Sequence, residues 1–258
     1  MKRYDLMLEA YTELKPEIES ARALSPILAN PPLTQVLKEF GTMPPEGLFM
    51  GVASDGLPML LNLHDAVPGP LLVLGDEGTG KTDLLQIVAR AAGITHPINE
   101  LKFGVLTNHT EEWNGFERIP NNVGIHPLYA DSAQEFLLTV ASSARGSKTD
   151  SQSILLLLDD LEAATNLDFE ARQILRWLFL RGPARRVWPI VTLNAEQSVS
   201  LQPWLEAFRT RIFGSIRDNH RAEQLMANGA DLHTLNSHAQ FTLREGNHWL
   251  RFWLPSLD

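Results

Sequence analysis

The chain has 258 residues, 44% of them hydrophobic, with a formal net charge of −9 and no cysteine. The acidic balance argues against a uniformly basic nucleic-acid-binding surface, and the absence of cysteine excludes disulfides and cysteine-ligated zinc. No uncharged apolar run reaches the roughly 18 residues of a membrane span and the N-terminus has no signal-peptide pattern, so we expect a cytoplasmic protein without a membrane segment.

Residues 1–46 are predicted to form a helical N-terminal extension. Apolar residues recur at helical spacing over residues 4–14. A second, short helix is predicted over residues 35–40, with Thr34 as its N-cap and Gly41 at its end. The extension is expected to pack either on the rest of the chain or on a neighbouring subunit.

Residues 47–258 are predicted to form one domain in which apolar strands alternate with helices. The predicted elements are a hairpin over 47–63, strands at 70–74, 101–107, 154–158 and 188–193, helices at 83–92, 131–144 and 169–180, and a terminal hairpin with strands at 240–244 and 249–254. Gly93 is predicted to cap the helix 83–92. The alternation predicts an α/β fold with a mainly parallel central sheet that is covered by helices on both faces.

Residues 75–82 read Gly-Asp-Glu-Gly-Thr-Gly-Lys-Thr and fit the phosphate-binding P-loop pattern G-x-x-x-x-G-K-[ST], between a predicted strand and a predicted helix. Glycines let successive backbone N–H groups point at a phosphate, and the helix N-terminus adds partial positive charge. Lys81 is predicted to reach the β- and γ-phosphates of ATP, and the Thr82 hydroxyl to coordinate Mg²⁺. The predicted nucleotide-binding residues are Gly75, Asp76, Glu77, Gly78, Thr79, Gly80, Lys81, Thr82 and Asp83. The carboxylates of Asp76 and Glu77 would repel a triphosphate unless they point outward.

The apolar strand over residues 154–158 ends in Asp159 and Asp160, which is the Walker B pattern. In this architecture the end of that strand lies beside the P-loop, so Asp159 is predicted to hold Mg²⁺. Asp160 is predicted to polarise the attacking water as general base, with Glu162 as the alternative. Asn194 follows a further predicted strand, and it either contacts the γ-phosphate or its water or serves as a strand-terminating turn residue.

The order of these motifs resembles the FtsK/HerA superfamily of hexameric DNA-pumping ATPases over residues 47–255, which implies a RecA-like P-loop NTPase fold. The two Walker motifs are specific to P-loop ATPases in general, whereas the assignment to this superfamily rests on weaker matches. These are a hairpin of the form G-x-x-x-D-G-x-P-x-x-x-x-L at 51–63, the strand 101–107 with the downstream Ile119-Pro120, Leu180-Arg181-Gly182 followed by 187–194, and the segments 210–218 and 224–230 before the final hairpin.

The chain also departs from that superfamily at positions that bear on hydrolysis. Thr107-Asn108-His109 stands where the family has Asp-Pro-Lys, and Pro183 replaces an arginine. Asp160 replaces a glutamate, and Asn194 a glutamine. These departures predict slower hydrolysis than that of a dedicated motor.

The resemblance implies a homo-oligomeric ring, with six subunits by family analogy, that binds ATP and Mg²⁺ and couples hydrolysis to movement of double-stranded DNA. Family motors complete their site with an arginine from the adjacent subunit. Arg211 matches best and Arg209 is second, with the pair Arg185 and Arg186 as a further candidate. The alternative for each is an ordinary exposed arginine or one placed near a helix C-terminus.

DNA contacts are expected from loops that face the centre of such a ring. Arg145 and Lys148 lie in a polar segment before the Walker B strand, where contacts to phosphate would be independent of sequence. An ordinary solvated loop is the alternative for this segment. Two other functions remain open for the chain as a whole, an ATP-driven regulator acting on a protein partner and a structural ring component with weak hydrolysis, for example beside a nuclease.

Overall fold

The computed structural model describes residues 30–146, 152–245 and 248–258, apart from the side chain of Glu245. Residues Pro31–Asp258 belong to one compact unit. The helical pattern over residues 4–14 lies outside the described residues. The helices are α1 (Leu33–Phe40), α2 (Lys81–Thr95), α3 (Asp131–Arg145), α4 (Leu161–Ala164), α5 (Phe169–Arg181), α6 (Gln202–Leu205) and α7 (Asn219–Gln224). The strands are β1 (Gly47–Ala53), β2 (Pro58–Asn62), β3 (Leu71–Gly75), β4 (Leu101–Thr107), β5 (Asn122–Pro127), β6 (Ser153–Leu158), β7 (Val187–Asn194), β8 (Thr210–Phe213), β9 (Gln240–Glu245) and β10 (His248–Trp253).

These strands form one ten-stranded sheet in the order β2-β1-β10-β9-β8-β3-β7-β6-β4-β5. The strands from β8 to β5 are parallel to one another, whereas β9, β10, β1 and β2 continue the sheet in antiparallel fashion. The two hairpins predicted at the ends of the domain are therefore neighbours, with Val52 of β1 paired to Trp253 of β10. The predicted α/β fold with a parallel central sheet is confirmed.

Helices cover both faces of the sheet, so its central strands are buried on both sides. Alternate residues of β3 face different cores, since successive side chains of a strand point to opposite faces. Leu72 and Leu74 pack in the core that contains α3 and α5. Leu71 and Val73 pack in the core that contains α1 and α2. All residues of β3 are buried, which explains the continuous apolar run in the sequence.

Helix α2 extends beyond Gly93 and ends at Thr95, so the predicted cap at Gly93 is wrong. A Cβ atom at residue 93 would lie 2.4 Å from Cγ2 of Ile119. The glycine therefore permits close packing inside the helix rather than ending it. The helix ends because His96 adopts an extended conformation, with φ −125° and ψ 137°.

Helix α1 begins at Leu33 and packs against the sheet. Its N-cap is Pro32, so the prediction of Thr34 as N-cap is wrong, and Thr34 instead hydrogen-bonds to Asp258. The predicted end at Gly41 is confirmed, with φ 71° in the left-handed region. The apolar residues of α1 lie in the same core as β1 and α2.

Two strands of the parallel sheet are absent from the sequence prediction. Strand β5 is a half-exposed edge strand, and β8 has only four residues, of which Thr210 and Arg211 are polar. Neither segment shows the apolar run of a central strand, so local pattern did not reveal them. Within the described residues, no helix has both the length and the apolar character needed to cross a bilayer.

Candidate active site

The P-loop connects β3 to α2, and its backbone requires glycine. Gly78 has φ 70° and Gly80 has φ 85°, conformations that residues with a side chain rarely adopt. At Gly80 there is also no space for a side chain, because a Cβ would lie 2.7 Å from Cα of His238. His238 also anchors the loop, because its backbone N–H donates a hydrogen bond of 3.2 Å to the carbonyl oxygen of Thr79.

A cavity of about 1090 Å³ opens beside the P-loop at the carboxyl ends of the parallel strands. This is the edge of an open α/β sheet at which ligands bind. Nearly all the residues that the sequence singles out around the two Walker motifs line it. They are Glu77, Gly78, Thr79, Gly80, Lys81, Thr82, Asp83, Asp159, Asp160 and Asn194, together with the alternative base Glu162.

The ammonium of Lys81 is folded back onto the loop. Its Nζ donates hydrogen bonds to the carbonyl oxygens of Gly75, at 3.2 Å, and of Asp76, at 2.8 Å. Burial lowers the pKa of Lys81 from its usual value, although the carboxylates of Glu162, Asp160, Asp159 and Asp76 act in the opposite direction. An anion bound in the cavity would favour the charged form of this partly desolvated amine.

Thr82 and Asp159 meet at the cavity, as the sequence predicts for two magnesium ligands. Oγ1 of Thr82 lies 3.0 Å and 3.2 Å from the two carboxylate oxygens of Asp159. Asp159 is only 2% exposed. Burial raises the pKa of Asp159 above its usual value, despite hydrogen bonds from Thr192 and Thr82 that favour the carboxylate.

This pair of oxygen donors fits Mg²⁺, which is usually bound in proteins through one or two carboxylates together with waters and substrate phosphates. The buried, destabilised carboxylate of Asp159 would be stabilised by such a cation. No group of three or more acidic, histidine or cysteine side chains suited to a metal ion is present among the described residues.

Both candidates for the general base reach the cavity. Asp160 has φ 80°, and its Oδ2 lies 3.5 Å from Nε2 of His109. Aspartate tolerates this left-handed conformation better than glutamate does, which is a physical reason for aspartate at this position. Burial raises the pKa of Asp160 and also that of Glu162. The backbone N–H groups of Glu162 and Asn194 oppose this effect at Glu162.

Asn194 is a turn residue that also lies at the cavity. It lines the cavity and pairs in register with Gly75, the first residue of the P-loop. Its Oδ1 accepts a hydrogen bond of 3.1 Å from the backbone N–H of Glu196, so it also caps the turn that follows β7. This bond fixes the orientation of the amide group.

The two acidic residues of the P-loop are placed differently from each other. Asp76 does not line the cavity, and its Oδ2 accepts a hydrogen bond of 2.9 Å from the backbone N–H of Arg217. Glu77 lines the cavity but is solvent-exposed. The carboxylate of Asp76 is therefore turned away from the cavity.

Arg211 is bound within its own chain. It lies on β8, where its Nη1 and Nη2 donate to the carbonyl oxygens of Leu225 and Leu205, each at 3.3 Å. Burial lowers the pKa of Arg211. It does not line the cavity, and these contacts hold together two segments of one subunit.

The other arginines singled out by the sequence also lie outside the cavity. Arg209 is exposed, and Arg185 donates to the carbonyl oxygen of Ala144 at 3.1 Å. The guanidinium of Arg145 stacks over the ring of Trp177, 4.8 Å from its centroid. Arg145, one of the two cations predicted to contact DNA, is therefore in contact with its own chain. The second, Lys148, lies outside the described residues.

Sequence reasoning missed two residues that shape the site. Thr192 is fully buried in β7 and hydrogen-bonds to both acidic residues of the Walker B motif. A single hydroxyl in an otherwise apolar strand was the available signal. His238 lines the cavity and has its Nδ1 3.5 Å from Asp83, yet it lies far along the chain in a turn with no recognisable pattern.

Several solved structures share this fold at low sequence identity. The cytoplasmic domain of the type VII secretion ATPase EccC from Thermomonospora curvata matches with a TM-score of 0.69 at 17% identity, over 88% of this chain and 32% of that one. The pCW3 conjugation coupling protein TcpA, in a monomer form with ATPγS, matches with a TM-score of 0.63 at 13% identity, over 88% of this chain and 70% of that one. B204, the DNA-packaging ATPase of Sulfolobus turreted icosahedral virus, matches with a TM-score of 0.54 at 10% identity, over 73% and 98%.

No protein-family model matches the sequence, and no curated protein matches it significantly. The chain spans about a third of the length of the EccC chain. At these identities the likeness concerns the fold. The chain shares its RecA-like P-loop fold with these ATPases, and this is the fold that the sequence resemblance implies.

Proposed function

We propose that this chain is a Mg²⁺-dependent ATPase that works as a ring-shaped motor of FtsK/HerA type and moves double-stranded DNA. The observation that supports ATP hydrolysis most strongly is the meeting of Lys81, Thr82 and Asp159 at one cavity. Thr82 and Asp159 lie 77 positions apart in the sequence and come from two motifs, yet their oxygens are within 3.2 Å. Independent motifs that converge in space are stronger support than either motif alone.

Each side chain has a distinct role in this proposal. The P-loop N–H groups and Lys81 bind the phosphates, so Lys81 exchanges its carbonyl partners for phosphate oxygens. Thr82 and Asp159 hold Mg²⁺, which when bound supplies positive charge against the phosphates. Asp160 accepts a proton from the attacking water, and Asn194 orients that water.

The proposed cargo rests on likeness to proteins of known role. Structures with this fold include a DNA-packaging ATPase, which favours DNA. Another is EccC in complex with a signal sequence peptide, which favours a protein cargo. The net charge of −9 and the stacking of Arg145 on Trp177 favour the second candidate, an ATP-dependent regulator or structural ring component that does not move DNA.

Steady-state ATP turnover with and without double-stranded DNA tests the proposal. Mg²⁺-dependent turnover that is abolished in Lys81→Ala is expected, and DNA is expected to raise the wild-type rate. Turnover that DNA never changes would contradict the motor and leave the regulator or structural ring. Absence of both ATP binding and turnover in the folded wild type would refute the ATPase itself.

Electron-microscopy images with a non-hydrolysable ATP analogue test the assembly. We expect closed rings, with density in the central pore only when double-stranded DNA is added. Images that show monomers at all protein concentrations would contradict the ring without affecting the assignment of ATP binding.

A further inference from the structure

The P-loop contains a carboxylate that is fastened outside the phosphate-binding cavity. Asp76 is the second residue of the loop, but every residue from Glu77 to Asp83 lines the cavity and Asp76 does not. Its Oδ2 accepts a hydrogen bond of 2.9 Å from the backbone N–H of Arg217, and its Oδ1 lies 3.8 Å from Nη1 of Arg221. The charge of Asp76 is therefore held against the segment that leads into α7.

Arg221 is placed by that helix to act on several carboxylates together. The side chain of Asp218, the N-cap of α7, accepts hydrogen bonds from the backbone N–H groups of His220 and Arg221. The guanidinium of Arg221 lies 3.8 Å from Glu196 and 3.9 Å from Asp218 as well. Arg221 does not line the cavity. Within the described residues, its charged partners are the carboxylates of Asp76, Glu196 and Asp218.

The position of this cation matters because Asp76 is close enough to influence the phosphate-binding lysine. Its carboxylate is one of the charges that act on the pKa of Lys81. The side chains of Arg221 and Asp76 are only 25% and 21% exposed, so solvent screens the pair less than it screens a surface ion pair. Without a neighbouring cation, the same negative charge would repel a polyphosphate bound at the loop.

We propose that Arg221 is a positioning residue that neutralises Asp76, whose carboxylate the backbone N–H of Arg217 holds outside the cavity, so that this acidic P-loop can bind a polyphosphate anion. The proposal rests on the proposed function, because it assumes that the cavity binds ATP through its phosphates. It concerns the negative charge of Asp76 in the P-loop, and it assigns Arg221 no contact with the nucleotide. Removal of Arg221 is therefore expected to weaken polyphosphate binding only while Asp76 remains charged.

A double-mutant cycle on nucleotide affinity tests this dependence. Equilibrium dissociation constants are measured for Mg²⁺–ATP and for inorganic tripolyphosphate, which has the charge without the base. Arg221→Ala is expected to weaken both by about fivefold to tenfold, and the loss is expected to shrink at high salt. Asp76→Asn alone is expected to change affinity less than about twofold, because its charge is already neutralised, and Asp76→Asn in the Arg221→Ala background is expected to restore wild-type affinity within about twofold.

Matched variants separate this role from a general loss of charge or of folding. Arg118→Ala removes an exposed arginine that does not line the cavity and is expected to leave both affinities unchanged. Arg221→Lys keeps the charge and is expected to retain most of the affinity. If Arg221→Ala does not fold, Arg221→Gln replaces it in the same cycle.

The outcomes also distinguish this proposal from the proposed function. Wild-type protein that binds neither ATP nor tripolyphosphate would refute the proposed function. Wild-type binding with no loss in Arg221→Ala would refute the neutralising role alone. A loss that persists in full in the double variant would refute it as well, since Arg221 would then act on the ligand or on the fold without Asp76.

Discussion

The hydroxyl of Thr192 donates a hydrogen bond of 2.8 Å to Oδ1 of Asp159 and accepts one of 2.8 Å from the backbone N–H of Asp160. One side chain of β7 thus fixes both acidic residues that follow β6. Asp159 is oriented toward Thr82, and the chain turns at Asp160 into the left-handed conformation. Thr192 therefore connects the metal-binding and proton-accepting positions of the proposed site, although it does not line the cavity.

Thr192→Val is expected to lower both stability and metal-dependent affinity. Valine has a similar shape, but it leaves a buried carboxylate oxygen and the N–H of Asp160 without this partner, at a cost of about 1–3 kcal/mol in the free energy of unfolding. ATP affinity is expected to fall more with Mg²⁺ than with EDTA, as measured by titration. Thr192→Ser, which retains the hydroxyl, is the control. Equal affinities of the valine and serine variants would contradict a role for the hydrogen bonds.

Asp160→Asn is expected to slow ATP turnover by about 10²–10⁴-fold with little change in ATP affinity, because it removes the proposed base. Asparagine tolerates the positive φ of 80° at this position, so the variant is expected to fold. Glu162→Gln is expected to have a smaller effect, since Glu162 lies on α4, farther along the chain from the end of β6 than Asp160.

Single-turnover rates and separately measured dissociation constants distinguish the two carboxylates. A larger loss in Glu162→Gln than in Asp160→Asn would transfer the role of base to Glu162. Asp160→Glu is a further comparison, because a longer side chain reaches farther but fits the left-handed backbone less well. Its turnover reports which of these two effects is larger.

Much of the site was predictable because its chemistry is local in sequence. The P-loop and the acidic end of β6 each occur within one short segment, and the residue pattern of that segment alone predicts its backbone conformation. The orientation of Asp76 was not predictable, because it depends on Arg217 and Arg221, which lie more than 100 positions away. Strand β8 was missed for a similar reason, since its pairing with β3 and β9 stabilises a segment with little strand character of its own.

Arg211→Ala is expected to lower the free energy of unfolding by about 1–3 kcal/mol, because the carbonyl oxygens of Leu205 and Leu225 lose a charged donor. Arg209→Ala, which removes an exposed arginine two positions away, is expected to leave stability nearly unchanged. Urea denaturation of the two variants measures this contrast.

Mixed assemblies test whether either arginine acts on a neighbouring subunit. Each variant is mixed with Lys81→Ala, so that an intact P-loop from one subunit can meet an intact arginine from the other. Recovery of turnover on mixing Arg211→Ala with Lys81→Ala would show that Arg211 acts in trans despite its contacts within the chain. We expect no recovery for Arg211, so a trans arginine in this segment would have to be Arg209.

His96 is expected to contribute a loss in the free energy of unfolding as the pH is lowered from about 7.5 to 5.5. This residue is 6% exposed, and burial lowers its pKa below the ordinary histidine value of about 6.5, although the carbonyl of Pro45 and the charge of Glu100 favour its protonation. The unfolded chain therefore binds more protons than the folded chain between the lowered pKa and about 6.5, and stability is lost as the pH falls through that window. His126, whose pKa burial also lowers, contributes with the same sign.

The difference between wild type and His96→Gln isolates this contribution. Asp159, Asp160 and Glu162 have raised pKa values and act with the opposite sign, but they are common to both proteins and cancel. The variant is expected to lose less stability over this pH range, by up to about 1.4 kcal/mol for each unit by which folding lowers the pKa of His96. His64→Gln, at an exposed position, is the matched control variant. Identical pH profiles of unfolding for wild type and His96→Gln would show that His96 titrates alike in the folded and unfolded chains.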